Sequence, residues 1–173
     1  DTVFKAVVCS SGTTVASGSY AMIGQNYQMI NTVGSATTGN SSNALLYSAT
    51  LTTSTFPIRV VGVVPDTASS VSATGSSSST TITLTGSGLP SAIVAGTDVS
   101  YVASNGQIVR TGSFVTTAAS AGATSVTINV ATTSLGLTAT PIPSGSTIVF
   151  TQIPEMLVKI NFGIHEYYTA QAV

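Results

Sequence analysis

Two stretches decide the fold. The first is Thr81-Ile82-Thr83-Leu84-Thr85 followed by Ile93-Val94-Ala95-Gly96-Thr97-Asp98-Val99-Ser100-Tyr101. The second is Ser125-Val126-Thr127-Ile128-Asn129-Val130 followed by Ile142-Pro143-Ser144-Gly145-Ser146-Thr147-Ile148-Val149-Phe150. In each, Ile precedes a glycine by three residues, an aliphatic residue follows it by three and an aromatic by five. Side chains two apart on a strand share a face, so Val99 and Tyr101 point one way, as do Ile148 and Phe150. Each copy reads as an alternating strand, a turn in which glycine supplies a positive φ, and a second alternating strand. The pair reads as an internal duplication that packs into a small barrel or sandwich.

The rest of the chain carries the same signature. Strand formers dominate every segment, broken at fairly regular spacing by Gly, Ser, Asn and Pro. No segment sustains a helical period, and Glu and Lys are nearly absent. Strands are expected at Val3–Cys9, Tyr20–Ile23, Tyr27–Asn31, Ala44–Thr50, Ile58–Val64, Thr80–Thr85, Asp98–Ala103, Ile108–Val115, Ser125–Val130, Thr147–Gln152 and Met156–Gly163. Asn105-Gly106 is the clearest hairpin signal. Residues 67–79 are Ser-rich with almost no large apolar side chain, and read as a flexible linker. The expected organisation is all-β. A β-sandwich or β-barrel core domain (residues 1–66 plus 153–173) carries an inserted small β-module at 80–152, with extended termini. In the final strand, Met156, Val158, Ile160 and Phe162 form the core face. Cys9 is expected to face inward alternately with Val7.

Composition narrows the function. Ser and Thr make up about a third of the 173 residues, charged residues 5%, and mean hydropathy is +0.46. Disorder requires a chain poor in branched aliphatics, which this one is not. No apolar run approaches the ~18 residues that span a bilayer. The basic residues Lys5, Arg59, Arg110 and Lys159 form no cluster able to neutralise several phosphates, which speaks against nucleic acid and anionic membranes. A net charge of −1 is low for a freely soluble monomer and suits permanent contact with other subunits. The chain opens on Asp1 rather than Met, as a processed end or a removed leader would leave it.

Chemistry has little to work with. The histidine is His165 and the acids are Asp1, Asp66, Asp98, Glu155 and Glu166. A serine nucleophile needs a histidine with an acid oriented behind it, and Glu166 on a strand would face away from His165. Two carboxyls for glycoside cleavage would lack aromatic platforms, as the chain has no Trp. Neither paired His or Cys spacing nor an acidic calcium loop is present. We expect no catalytic, cofactor or metal site. Asp66 and Asp98 read as turn or strand-start residues. Asn40-Ser41-Ser42 matches the N-glycosylation pattern, a match common in so Ser-rich a chain. Cys9 is the lone cysteine, so no intrachain disulfide forms.

The chain ends are the expected gripping elements, since terminal strands can add to a neighbour's open edge. Val3, Phe4 and Val7 at one end, and Ile164, His165, Tyr167 and Tyr168 at the other, are the candidate assembly residues. Tyrosine suits interfaces because it buries area while keeping a polar tip.

The segments Ala121-Gly122-Ala123-Thr124-Ser125-Val126-Thr127-Ile128 and Ile142–Phe150 resemble a pattern in structural proteins of tailed bacteriophages. Leu157-Val158-Lys159-Ile160-Asn161-Phe162-Gly163 looks like the closing strand of phage head-decoration proteins. The resemblance covers about a third of the chain and carries no catalytic residue. It implies a virion protein on the capsid exterior, a decoration (cement) protein. Such proteins bridge coat subunits and often form trimers, so the implied partners are the major capsid protein and copies of this chain. The near absence of charge departs from that pattern. Two alternatives fit the composition: an extracellular filament or pilus subunit assembling by strand donation, and a tail-associated or receptor-binding module.

Overall fold

A computed structural model describes residues 2–11, 14–30, 43–47, 56–129 and 141–160. The strands are β1 Phe4–Cys9, β2 Asn26–Tyr27, β3 Met29–Ile30, β4 Ala44–Leu46, β5 Ile58–Val63, β6 Ser69–Ser77, β7 Thr81–Leu84, β8 Asp98–Val102, β9 Ile108–Phe114, β10 Ser125–Thr127, β11 Ser146–Gln152 and β12 Glu155–Ile160. Single 3₁₀ turns lie at Tyr20–Met22 and Pro65–Thr67. The fold is all-β, in two six-stranded sheets.

The first sheet runs β2-β5-β12-β1-β4-β3. Its two edges are halves of one segment, separated only by Gln28, whose carbonyl accepts the Leu46 N–H. Residues 26–30 therefore pair with β5 at one end and β4 at the other, and the sheet closes on itself. Most pairs are antiparallel, but β1 and β4 run parallel from Val8↔Leu45. The core of this barrel gathers Val8, Met22, Tyr27, Leu45, Val60, Ile153, Met156 and Val158.

The second sheet runs β10-β7-β6-β11-β8-β9. It closes as well, through an antiparallel bridge between Val115 and Ile128. The Phe114 carbonyl accepts the Asn129 N–H there, and the Asn129 side-chain carbonyl accepts the Phe114 N–H. The two repeat copies pair with each other strand for strand. The strand opening each copy joins its counterpart at Val126↔Ile82, and the closing strands join at Ile148↔Tyr101 and Phe150↔Val99. All six of these side chains lie in the second core, which draws only on residues of this barrel.

Several expectations need correction. The segment 67–79 is no linker. It holds the end of a 3₁₀ turn and then β6, a central strand paired with β11 from Ser69↔Gln152 to Gly75↔Ser146. Backbone groups make that ladder, so a run of serines can join it when an alternate row of small residues faces the core. Val71, Ala73 and Gly75 form that row, opposite Phe150, Ile148 and Ser146. Tyr20–Ile23 is a 3₁₀ turn rather than a strand, its chain reversing so that the Ile23 N–H bonds the Tyr20 carbonyl. The amino-terminal end is not an arm, because Phe4–Val7 pair with β12, and Val8 and Cys9 with β4. Its inward parity is that of Ala6 and Val8, so Val8 is fully buried while Val7 is 40% exposed and Cys9 is half-buried. Among the described residues no helix is long and apolar enough to cross a membrane.

The second barrel is inserted between β5 and β12 of the first. The outgoing and returning chains run side by side there, the Val64 N–H bonding the Glu155 carbonyl at 3.2 Å.

Candidate functional site

Two surfaces carry chemistry worth describing. One is the outer face of the first barrel. Strand alternation puts Val3, Lys5, Val7 and Cys9 on that face of β1. Val15 joins them by an antiparallel bridge to Cys9, Leu46 by its parallel pairing with Cys9, and Leu157 by its pairing with Lys5. Val3 is 50% exposed and Val15 53%. Charges flank this stripe among the described residues: Lys5 on β1, Glu155 opposite Val7, and Lys159, which the same register brings level with Val3. Phe4 has inward parity but opens the strand, and remains 47% exposed. The candidate assembly residues Val3, Phe4 and Val7 are thus accessible together. Ile164, His165, Tyr167 and Tyr168 lie outside the described residues, as does Asn40.

The other is the joint between the barrels. The segment Ser17–Tyr20 of the first barrel lies against the start of β8. The Ser17 N–H donates to the Ala95 carbonyl at 2.8 Å, and the Ser17 hydroxyl accepts the Ile153 N–H at 2.7 Å. Gly96 sits beneath Ser17 at φ +86, and a Cβ there would strike the Ser17 carbonyl oxygen. Tyr47 reaches across from the first barrel. Its hydroxyl donates to the Val115 carbonyl at 3.3 Å, and its ring meets Phe114 edge-on at 6.1 Å. Burial pushes the Tyr47 phenol up to about 12, opposed by a backbone hydrogen bond at Gly96.

Within the joint lies Asp98, 3% exposed. Its carboxylate accepts the Tyr20 N–H at 3.2 Å across the joint. The Arg110 guanidinium lies 3.6 Å from the centroid of the Tyr20 ring, a cation–π contact. Loss of water around the Asp98 carboxyl raises its pKa from 3.8 to about 6, against the Tyr20 hydrogen bond and the Arg110 charge, which both lower it. Asp98 does start a strand, as its sequence suggests. The pattern did not reveal that its solvent-facing parity is covered by the other barrel.

A third feature is an open depression of about 560 Å³ where the β8–β9 hairpin meets the turn before β11, with Tyr101, Ser104, Pro143 and Ser146 in its wall. It holds no charged side chain. Among the described residues, no three His, Cys, Asp or Glu side chains gather as metal ligands would. No protein-family model, curated protein or solved structure matches the chain.

Proposed function

We propose that this chain is a non-enzymatic virion structural protein, a decoration or cement protein that adheres to the outer surface of a capsid shell. Its partners on this reading are the major capsid protein and further copies of itself. One observation carries the proposal: exposed apolar side chains, Val3, Val7 and Val15, gathered on the outer face of one barrel. Burying them against a neighbour stabilises contact by roughly 25 cal/mol per Å² of apolar surface. The amino-terminal strand β1 is held in its own barrel by β12, so it is not free to be donated to a neighbour. That favours face-to-face adhesion over assembly by strand donation.

Localisation followed by mutation tests this. Immunogold labelling of particles from the source culture should decorate icosahedral heads. Label along fibres would support the filament reading, and label confined to tails the tail-associated one; either overturns the proposal. Val3→Asp with Val7→Asp should then reduce retention on heads at least tenfold. Folding stability should change by no more than about 0.5 kcal/mol per site, as for most surface substitutions. Retention by the unaltered chain should vary little with ionic strength, because screening acts on charges and only 5% of the chain's residues are charged.

A further inference from the structure

The two barrels meet where Ser17–Tyr20 lies against the start of β8, and a carboxyl, that of Asp98, lies buried there. Asp98 leaves β8 on the face away from its own barrel's core, since Val99 and Tyr101 take the inner face. The first barrel covers that outer face, so Asp98 and Ser100 are buried as deeply as their inward neighbours. From β9 come Phe114, paired with Asp98, and Arg110, paired with Ser100. From β11 the paired residue is Thr151. From the first barrel comes Tyr20, which gives its N–H to the carboxyl and its ring to Arg110. The charged or titratable members of that set are Arg110 and Tyr20.

We propose that the Asp98–Tyr20–Arg110 cluster is a proton-operated clasp, locking the two barrels together when the Asp98 carboxyl is protonated and loosening when it is ionised. A neutral carboxyl still accepts the Tyr20 N–H and loses little by burial. An ionised one must be stripped of water to stay in the closed joint, and Arg110 compensates only in part because it is itself exposed and solvated. Opening the joint rehydrates the carboxylate. The direction of the raised pKa agrees, because the closed joint holds the proton more tightly than water does. Closure is therefore most favoured below the ordinary carboxylate pKa of 3.8, and that advantage is lost as pH rises through about 6. A shift of about two units corresponds to roughly a 100-fold change in the opening equilibrium.

The test is amide hydrogen exchange at Tyr20 and Ser17, corrected for intrinsic rates, from pH 4.5 to 7.5 on the full chain. Protection of both amides should fall by one to two orders of magnitude with rising pH. In Asp98→Asn, which mimics the protonated side chain, protection should stay high and flat. In Arg110→Gln the midpoint should move upward, because the cation that favours ionisation is gone. A carbon-13 titration of the Asp98 carboxyl in the unaltered chain gives a readout independent of any variant. A carboxyl that titrates below pH 4.5, protection that is flat or rises with pH, or an Asn variant that keeps the pH dependence would each overturn the clasp.

Discussion

Gly96 shows how much of the joint depends on a single missing side chain. It adopts φ +86, where L-residues are strained, and the Ser17 carbonyl occupies the space a Cβ would need. Gly106 at the β8–β9 hairpin tip has almost the same φ, +82, but open space around it. The pair separates two effects. Gly106→Ala should cost only the backbone strain, about 1 kcal/mol. Gly96→Ala should cost that plus displacement of Ser17, at least ~3 kcal/mol in all, by urea denaturation. Equal losses would mean that the barrels give way without cost at this point. The repeat pattern made a turn glycine at Gly96 legible in the sequence, since a positive φ fits the step between two alternating strands. The Ser17 carbonyl was not legible, because it arrives from another part of the fold.

At the scale of elements, the strands with alternating branched or aromatic residues were readable. The duplication implied a small barrel or sandwich without naming strand partners, and matched parity lets Val99 and Tyr101 share a core with Phe150 and Ile148. Strand β6 was not readable. Its inward row is Val71, Ala73 and Gly75, too small to stand out among serines, because β11 fills the core at that level with Phe150 and Ile148. Gly75 is small for a further reason: a Cβ there would meet the Thr83 carbonyl of β7. Proline discriminates sharply between a linker and a central strand. In a flexible linker Ala73→Pro would be harmless. In β6, flanked by β7 and β11, it should destabilise by about 3 kcal/mol or more through a lost ladder bond and a misplaced ring. A melting temperature within a degree or two of the unaltered chain would contradict the strand.

At the scale of the whole molecule, the two cores draw on different stretches of the chain. The second is built within 71–150, and the first from 6–68 and 153–160. Composition could indicate an insertion, because the chain changes character near Asp66. It could not indicate that the outer face of β8 is buried, since that depends on Tyr20 meeting Asp98 across 78 residues of sequence. The insertion points lie side by side, with Val64 bonded to Glu155, so removing the module need not stretch its ends apart. Domains with adjacent termini and a private core fold alone as a rule. Residues 65–153 expressed alone should therefore give a β-type circular dichroism spectrum and one cooperative thermal transition. Freed of the first barrel, Asp98 loses its cover and the Tyr20 N–H while keeping Arg110 on the neighbouring strand. Its carboxyl should then titrate near the ordinary carboxylate range, well below the value of about 6 set by burial in the intact chain. A fragment that folds but leaves Asp98 titrating as in the whole protein would place the desolvation within the second barrel itself. A fragment that fails to fold would make the joint part of a single cooperative unit.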